Sequence, residues 1–133
     1  MAEDDGMSAE EFRAIAAAGS TGPSVWQMTE EQLEAEILAL CEEREITWAH
    51  IDTPHHNRKR HNLAGFPDLM LFGRGGSMFR ELKRQRNPGG SPAQTNWKYW
   101  LLAAGQDYAI WQPRDLESGR IKRELDRLAG RPA

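Results

Sequence analysis

Asp68 closes the short box Gly65-Phe66-Pro67-Asp68, and thirteen residues later Glu81-Leu82-Lys83 sets a second acid two positions before a lysine. Between them lie an apolar run, Leu69-Met70-Leu71-Phe72, and the turn material Gly73-Arg74-Gly75-Gly76. The pattern predicts a hairpin of strands over 68–73 and 77–84. Alternate residues of a strand share a face, so Glu81 and Lys83 project together with their Cα atoms roughly 7 Å apart. Asp68, opening the paired strand, meets them. Two carboxylates beside an ammonium group suit a divalent ion, with the lysine to manage a water or a phosphate. Plainer readings exist. Aspartate after proline is common at turns, and an exposed Glu-Lys pair contributes about 0–1 kcal/mol. The combination weakens both, because two carboxylates at ~4 Å repel unless a proton or cation lies between them.

The elements around these residues can be read from their caps. Thr29-Glu30-Glu31-Gln32 has capping-box form, and Leu33, Ile37, Leu38, Leu40 and Cys41 give a helix an apolar face to about Arg44. Ile46 to Ile51 is rich in strand formers. Ser91-Pro92-Ala93-Gln94 starts a second helix, expected to end at Ala104 before Gly105. Asp107 to Trp111 reads as a last strand, and a helix from about Ser118 to Leu128 closes the chain. The order α-β-β-β-α-β-α predicts an α/β fold, a mixed sheet with helices packed on it. Residues 1–25, with a capping box at Ser8-Ala9-Glu10-Glu11 and a break at Gly19 to Ser24, read as an appendage to a single domain over 26–130.

In this order, Glu30, Gly65-Phe66-Pro67-Asp68-Leu69, Glu81-Leu82-Lys83 and Gln94 resemble the PD-(D/E)XK nuclease superfamily, and within it the virus-type replication-repair nuclease (VRR-NUC) branch. The resemblance runs from about Thr29 to Trp111. It implies a restriction-endonuclease-like core and hydrolysis of DNA with Mg²⁺ or Mn²⁺. Asp68, Glu81 and the backbone carbonyl of Leu82 would then be metal ligands, assisted by Glu30, with Lys83 and Gln94 at the catalytic centre. The frame of Leu33 and Ile37 favours Glu30, with Glu34 on the same face one turn on. Glu30 also suits a helix N-terminus as such, and Gln94 also suits a capping box with Ser91. Compact members of the branch resemble Holliday-junction resolvases, which implies a homodimer on branched DNA. A monomeric nuclease for ends, flaps or nicks and a non-catalytic DNA-binding protein are the rival expectations.

The net charge of −3 hides an asymmetry. Residues 1–45 hold 12 acids and 2 bases, whereas residues 46–133 hold 8 acids and 15 bases. From Arg58 to Arg86 there are eight bases, and the two acids in that window are Asp68 and Glu81. A basic field around two carboxylates suits a polyanion. Arg58, Lys59, Arg60, Arg84 and Arg86 are the expected DNA contacts. His55, His56 and His61 lack the regular spacing and second cysteine of a zinc site. Trp97, Trp100 and Leu101 form a stripe expected to face the core, and the aromatic surplus of that helix could serve a dimer. The lone Cys41 excludes an internal disulfide, and no apolar run reaches the ~18 residues of a membrane span. With Glu3, Asp4 and Asp5 near the start, a cytoplasmic protein is expected.

Overall fold

The computed structural model describes residues 9–10, 24–50, 64–86 and 88–131. A 3-10 turn at Val25–Gln27 leads into helix α1, Glu30–Glu43. Strands β1 (Thr47–His50), β2 (Leu69–Gly73) and β3 (Gly76–Leu82) form an antiparallel meander. Helix α2 (Pro92–Ala103) then carries the chain over to β4 (Tyr108–Trp111), which pairs parallel to β3. The short α3 (Pro113–Glu117) and α4 (Arg120–Leu128) follow. The sheet order is β1-β2-β3-β4, a mixed four-stranded sheet with helices packed on it. Among the described residues no helix is long and apolar enough to cross a membrane.

Local chemistry accounts for these boundaries. Thr29 accepts from the Gln32 N–H at 3.0 Å and Gln32 returns the bond to Thr29 N–H at 2.9 Å, which fixes the start of α1. Ser91 and Gln94 repeat the device at α2. The helix at 113–117 was not expected from the sequence. Its signals were present, since Pro113 occupies the first turn and Asp115 accepts from the Gln112 N–H at 2.8 Å.

The sheet buries one face under α1 and α4. Leu33, Ile37 and Cys41 of α1 and Ile121, Leu125 and Leu128 of α4 pack with Leu69, Leu71, Met78, Leu82 and Trp111 in one cluster. Burial of each large aliphatic side chain contributes about 1.5–3 kcal/mol. Arg80 points into this layer because it shares a face with Met78 and Leu82. It is 1% exposed, pairs with Glu124 at 2.9 Å and Asp107 at 3.1 Å, and lies 4.9 Å from the Trp111 ring centre. Arg80 is therefore a structural cation and leaves the basic field counted from sequence. Burial works to raise the Glu124 carboxyl, but bonds from Arg120, Arg80 and Trp111 outweigh it and hold that carboxyl below its usual range.

On the opposite face, Phe66 packs edge-on against Trp97 at 4.8 Å and Phe79 at 6.2 Å, seating α2 on the sheet. The stripe expected to face the core splits. Leu101 is buried and Trp97 half-buried, but Trp100 is exposed and stacks edge-on with Tyr99 at 5.1 Å.

Candidate active site

The site lies where β2 begins and β3 ends. Pro67-Asp68 precedes β2, so the Asp68 carboxylate reaches across to β3 and accepts the Leu82 N–H at 2.8 Å. Glu81 lies on the face of Phe79, away from the main core, where the Asp68 charge acts on its carboxyl. Lys83 follows the last strand residue, and its N–H still donates to the Trp111 carbonyl at 3.0 Å, which holds the backbone in line with the sheet. Its Nζ stands 3.5 Å from Glu81 Oε2. The hairpin expected from the sequence thus delivers all three side chains to one spot.

Gln94 joins them from α2. Its Oε1 accepts from Lys83 Nζ at 2.8 Å and from the Ser91 N–H at 3.0 Å, while its Nε2 donates to Glu81 Oε2 at 2.8 Å. The side chain that caps α2 is thus the one that also bonds Lys83 and Glu81, so capping and these contacts form one network. Gly65 makes the approach possible. It adopts φ +80°, and a Cβ there would lie 2.4 Å from the Ala93 carbonyl carbon and 2.5 Å from the Gln94 nitrogen.

Electrostatics single out Glu81. It is 4% exposed, and burial first, then the Asp68 charge, push its carboxyl up to about 7 against the pull of Lys83. Glu30 stands at the rim. Partial burial and then Asp68 raise its carboxyl, while Lys83 and the backbone N–H and charge of Arg84 draw it back. Glu34 lines the same 140 Å³ pocket as Glu30, Asp68 and Leu82, but it pairs with His50 at 2.6 Å. The Asp68 charge acts on Glu30. On the other side, a 120 Å³ pocket is lined by Glu81, Lys83, Gln94, Thr95, Lys98 and Tyr108.

Tyr108 was missed from the sequence. Its hydroxyl is pushed up to about 12, by burial first and then by the charges of Glu81 and Asp68. Only the parallel register that sets Tyr108 beside Phe79 brings it here, and no local signal encodes that register. Of the expected DNA contacts, Arg84 is half-buried at Glu30 and Arg86 is exposed. Arg58, Lys59 and Arg60, with the three neighbouring histidines, lie outside the described residues.

The donor set fits a hard divalent cation of the magnesium type, which binds through one or two carboxylates and keeps much of its water. Asp68 and Glu81 supply two adjoining carboxyls, and one must hold a proton or a cation must lie between them. Among the described residues no three His, Cys, Asp or Glu side chains are gathered as a metal-binding group. No family model, no curated protein and no solved structure matches this chain.

Proposed function

We propose that this protein is a divalent-metal-dependent DNA endonuclease of the PD-(D/E)XK type, resembling the VRR-NUC branch. One observation carries the reading: Asp68, Glu81 and Lys83 converge at the end of the hairpin with Gln94 bonded to two of them. The α-β-β-β-α-β order, with β4 parallel to β3 across α2, agrees with that core.

Asp68 and Glu81 would hold Mg²⁺ or Mn²⁺, with the Leu82 carbonyl completing the set and Glu30 assisting. Bound there, the ion would polarise the phosphate and lower the pKa of a water. The chain's own residues do the rest. Gln94 fixes the direction of the Lys83 ammonium by accepting a hydrogen bond from it. Lys83 Nζ then stands within 3.5 Å of a ligand carboxylate, where it can orient the attacking water and balance charge developing on the phosphate. Burial of Glu81 and Lys83 excludes bulk water and strengthens both effects.

A panel of linear, flapped, nicked and four-way DNAs with Mg²⁺, Mn²⁺ or EDTA tests the reading. Cleavage in either metal and none in EDTA is expected. Binding without cleavage in any arm would leave the non-catalytic DNA-binding reading. Among substrates we favour branched DNA cut by a homodimer, because Tyr99, Trp100 and Leu102 leave an apolar surface on α2 uncovered by the described residues. The alternative is a monomeric nuclease of ends, flaps or nicks.

A further inference from the structure

Helix α4 carries a feature that the catalytic reading does not use. Arg120, Arg123, Arg127 and Arg131 line a cleft of about 680 Å³, with Glu124 as the acid on its wall. A neighbouring cleft of about 290 Å³, lined by Arg44, Arg74, Arg131 and Glu45, shares Gly130 and Arg131 with the first. Carboxylates cancel part of this charge, since Arg120 pairs with Glu124 at 2.7 Å and Asp115 at 3.2 Å and Arg44 with Asp126 at 2.7 Å, and they leave Arg123, Arg127 and Arg131 to account for. Both Glu124 oxygens are occupied by Arg80, Trp111 and Arg120. Arg123 rests on the Ser118 carbonyl at 3.3 Å and Arg131 on the Glu43 carbonyl at 3.0 Å, so neither meets a carboxylate among the described residues. Arg127 reaches Asp107 at 3.4 Å, an acid already shared with buried Arg80.

The charge points to a polyanion. Arg123 and Arg127 lie four residues, about 6 Å, apart along α4, and Arg131 follows the end of that helix beyond Gly130 at φ +78°. Exposed guanidiniums, each able to donate two parallel bonds, suit phosphates. The Arg127 and Arg131 end of the cleft is remote from the carboxylates, while Arg120 at its other end donates to the carbonyl of Ile110, the strand partner of Glu81, at 3.4 Å. Gly75 N–H donates to the Leu128 carbonyl at 2.7 Å, so α4 ends against the hairpin turn, whereas Lys83 leaves the far end of β3. The seven residues of β3 span about 20 Å.

We propose that this arginine cleft is a second nucleic-acid contact, gripping the phosphate backbone of a duplex away from the bond to be cut. The choice of nucleic acid as polyanion rests on the nuclease reading; the charge of the cleft does not. A duplex reaching from the carboxylates to the Arg131 end of the cleft would extend over about six base pairs, at ~3.4 Å each.

The test is fluorescence anisotropy in EDTA, with a labelled duplex of about 20 base pairs titrated from ~50 to ~200 mM salt. The probe for a protein partner is labelled polyglutamate. Arg123→Ala with Arg127→Ala is expected to weaken duplex binding about tenfold and to lower the salt slope by roughly 2, at ~0.9 per phosphate contact. Both side chains are exposed, so the fold should persist, which circular dichroism checks. Unchanged affinity and slope in the double variant overturn the inference while leaving the nuclease reading intact. Arginine-dependent binding of polyglutamate without duplex binding overturns it in favour of an acidic protein. A wild-type protein that binds no nucleic acid overturns both. Arginine-dependent duplex binding by a protein that never cleaves in Mg²⁺ or Mn²⁺ supports this inference and sinks the nuclease reading.

Discussion

Glu81 is the side chain on which the site's electrostatics turn. Its carboxyl rises from an ordinary 4.5 to about 7, so between those values the folded chain holds a proton that the unfolded chain has lost. The associated stability is fully present below about 4.5 and is lost as pH climbs through about 7. In EDTA the wild-type Tm should fall across that window, and Glu81→Gln should flatten the decline; parallel curves for the two proteins would mean that Glu81 titrates normally. In catalysis, Asp68→Asn or Glu81→Gln should lower metal-dependent cleavage by at least ~10²-fold with the fold intact, the scale of losing one electrostatic catalytic group. Near wild-type cleavage by either folded variant would sink the metal assignment. Lys83→Ala should abolish turnover while calorimetric Mn²⁺ affinity persists. Gln94→Glu separates the residue's two roles, because a carboxylate still caps Ser91 but cannot donate to Glu81. Its cleavage rate should fall more than tenfold, while its Tm stays close to wild type at about pH 5, where a proton can lie between the two carboxyls, and drops towards pH 8. Equal losses in both would make Gln94 a cap and nothing more.

The elements show why some of this was legible and some was not. Capping boxes at Thr29 and Ser91 mark the helix starts through bonds between residues three apart, and such contacts can be read directly from sequence. The hairpin is nearly as local, so Asp68, Glu81 and Lys83 were placed together correctly. Arg80 and Tyr108 depend on which face a strand buries and on a crossover register, which contacts distant in sequence decide. That is why Arg80 counted as a surface base until the sheet buried it under Glu124, and why Tyr108 drew no attention. Gly65 lies between these cases, since its place in the Gly-Phe-Pro-Asp box was visible but its reason was not. The loop lies so close to the first turn of α2 that a methyl group would strike the Ala93 backbone. Gly65→Ala also forces an alanine to φ +80°, so it should cost at least ~2 kcal/mol by urea denaturation, the scale of a strained backbone position plus overpacking. A change below ~0.5 kcal/mol would show that the loop yields easily.

At the scale of the whole molecule, the proposed junction substrate would ask for twice the equipment. Cutting a four-way junction takes two incisions related by symmetry, and the described residues gather one set of Asp68, Glu81 and Lys83. A two-fold dimer supplies the second set at no cost in new machinery, because one patch meets its own copy. Helix α2 offers such a patch. Tyr99, Trp100 and Leu102 are 63%, 58% and 49% exposed, a concentration of aromatic surface suited to the centre of an interface. The same helix carries Gln94 into the site, and six residues of helix, about 9 Å, separate Gln94 from Trp100. Pairing through α2 would therefore hold two sites in fixed relation without a flexible link. Light scattering at micromolar concentration should give twice the chain mass, and Tyr99→Asp with Trp100→Asp should halve it. The monomeric variant should still nick linear DNA in metal, since its carboxylates are untouched, but should lose paired incision of four-way DNA. A wild-type protein that is monomeric and cuts linear and four-way DNA equally would reject the resolvase-like reading, and the nuclease chemistry at Asp68 and Glu81 would stand without it.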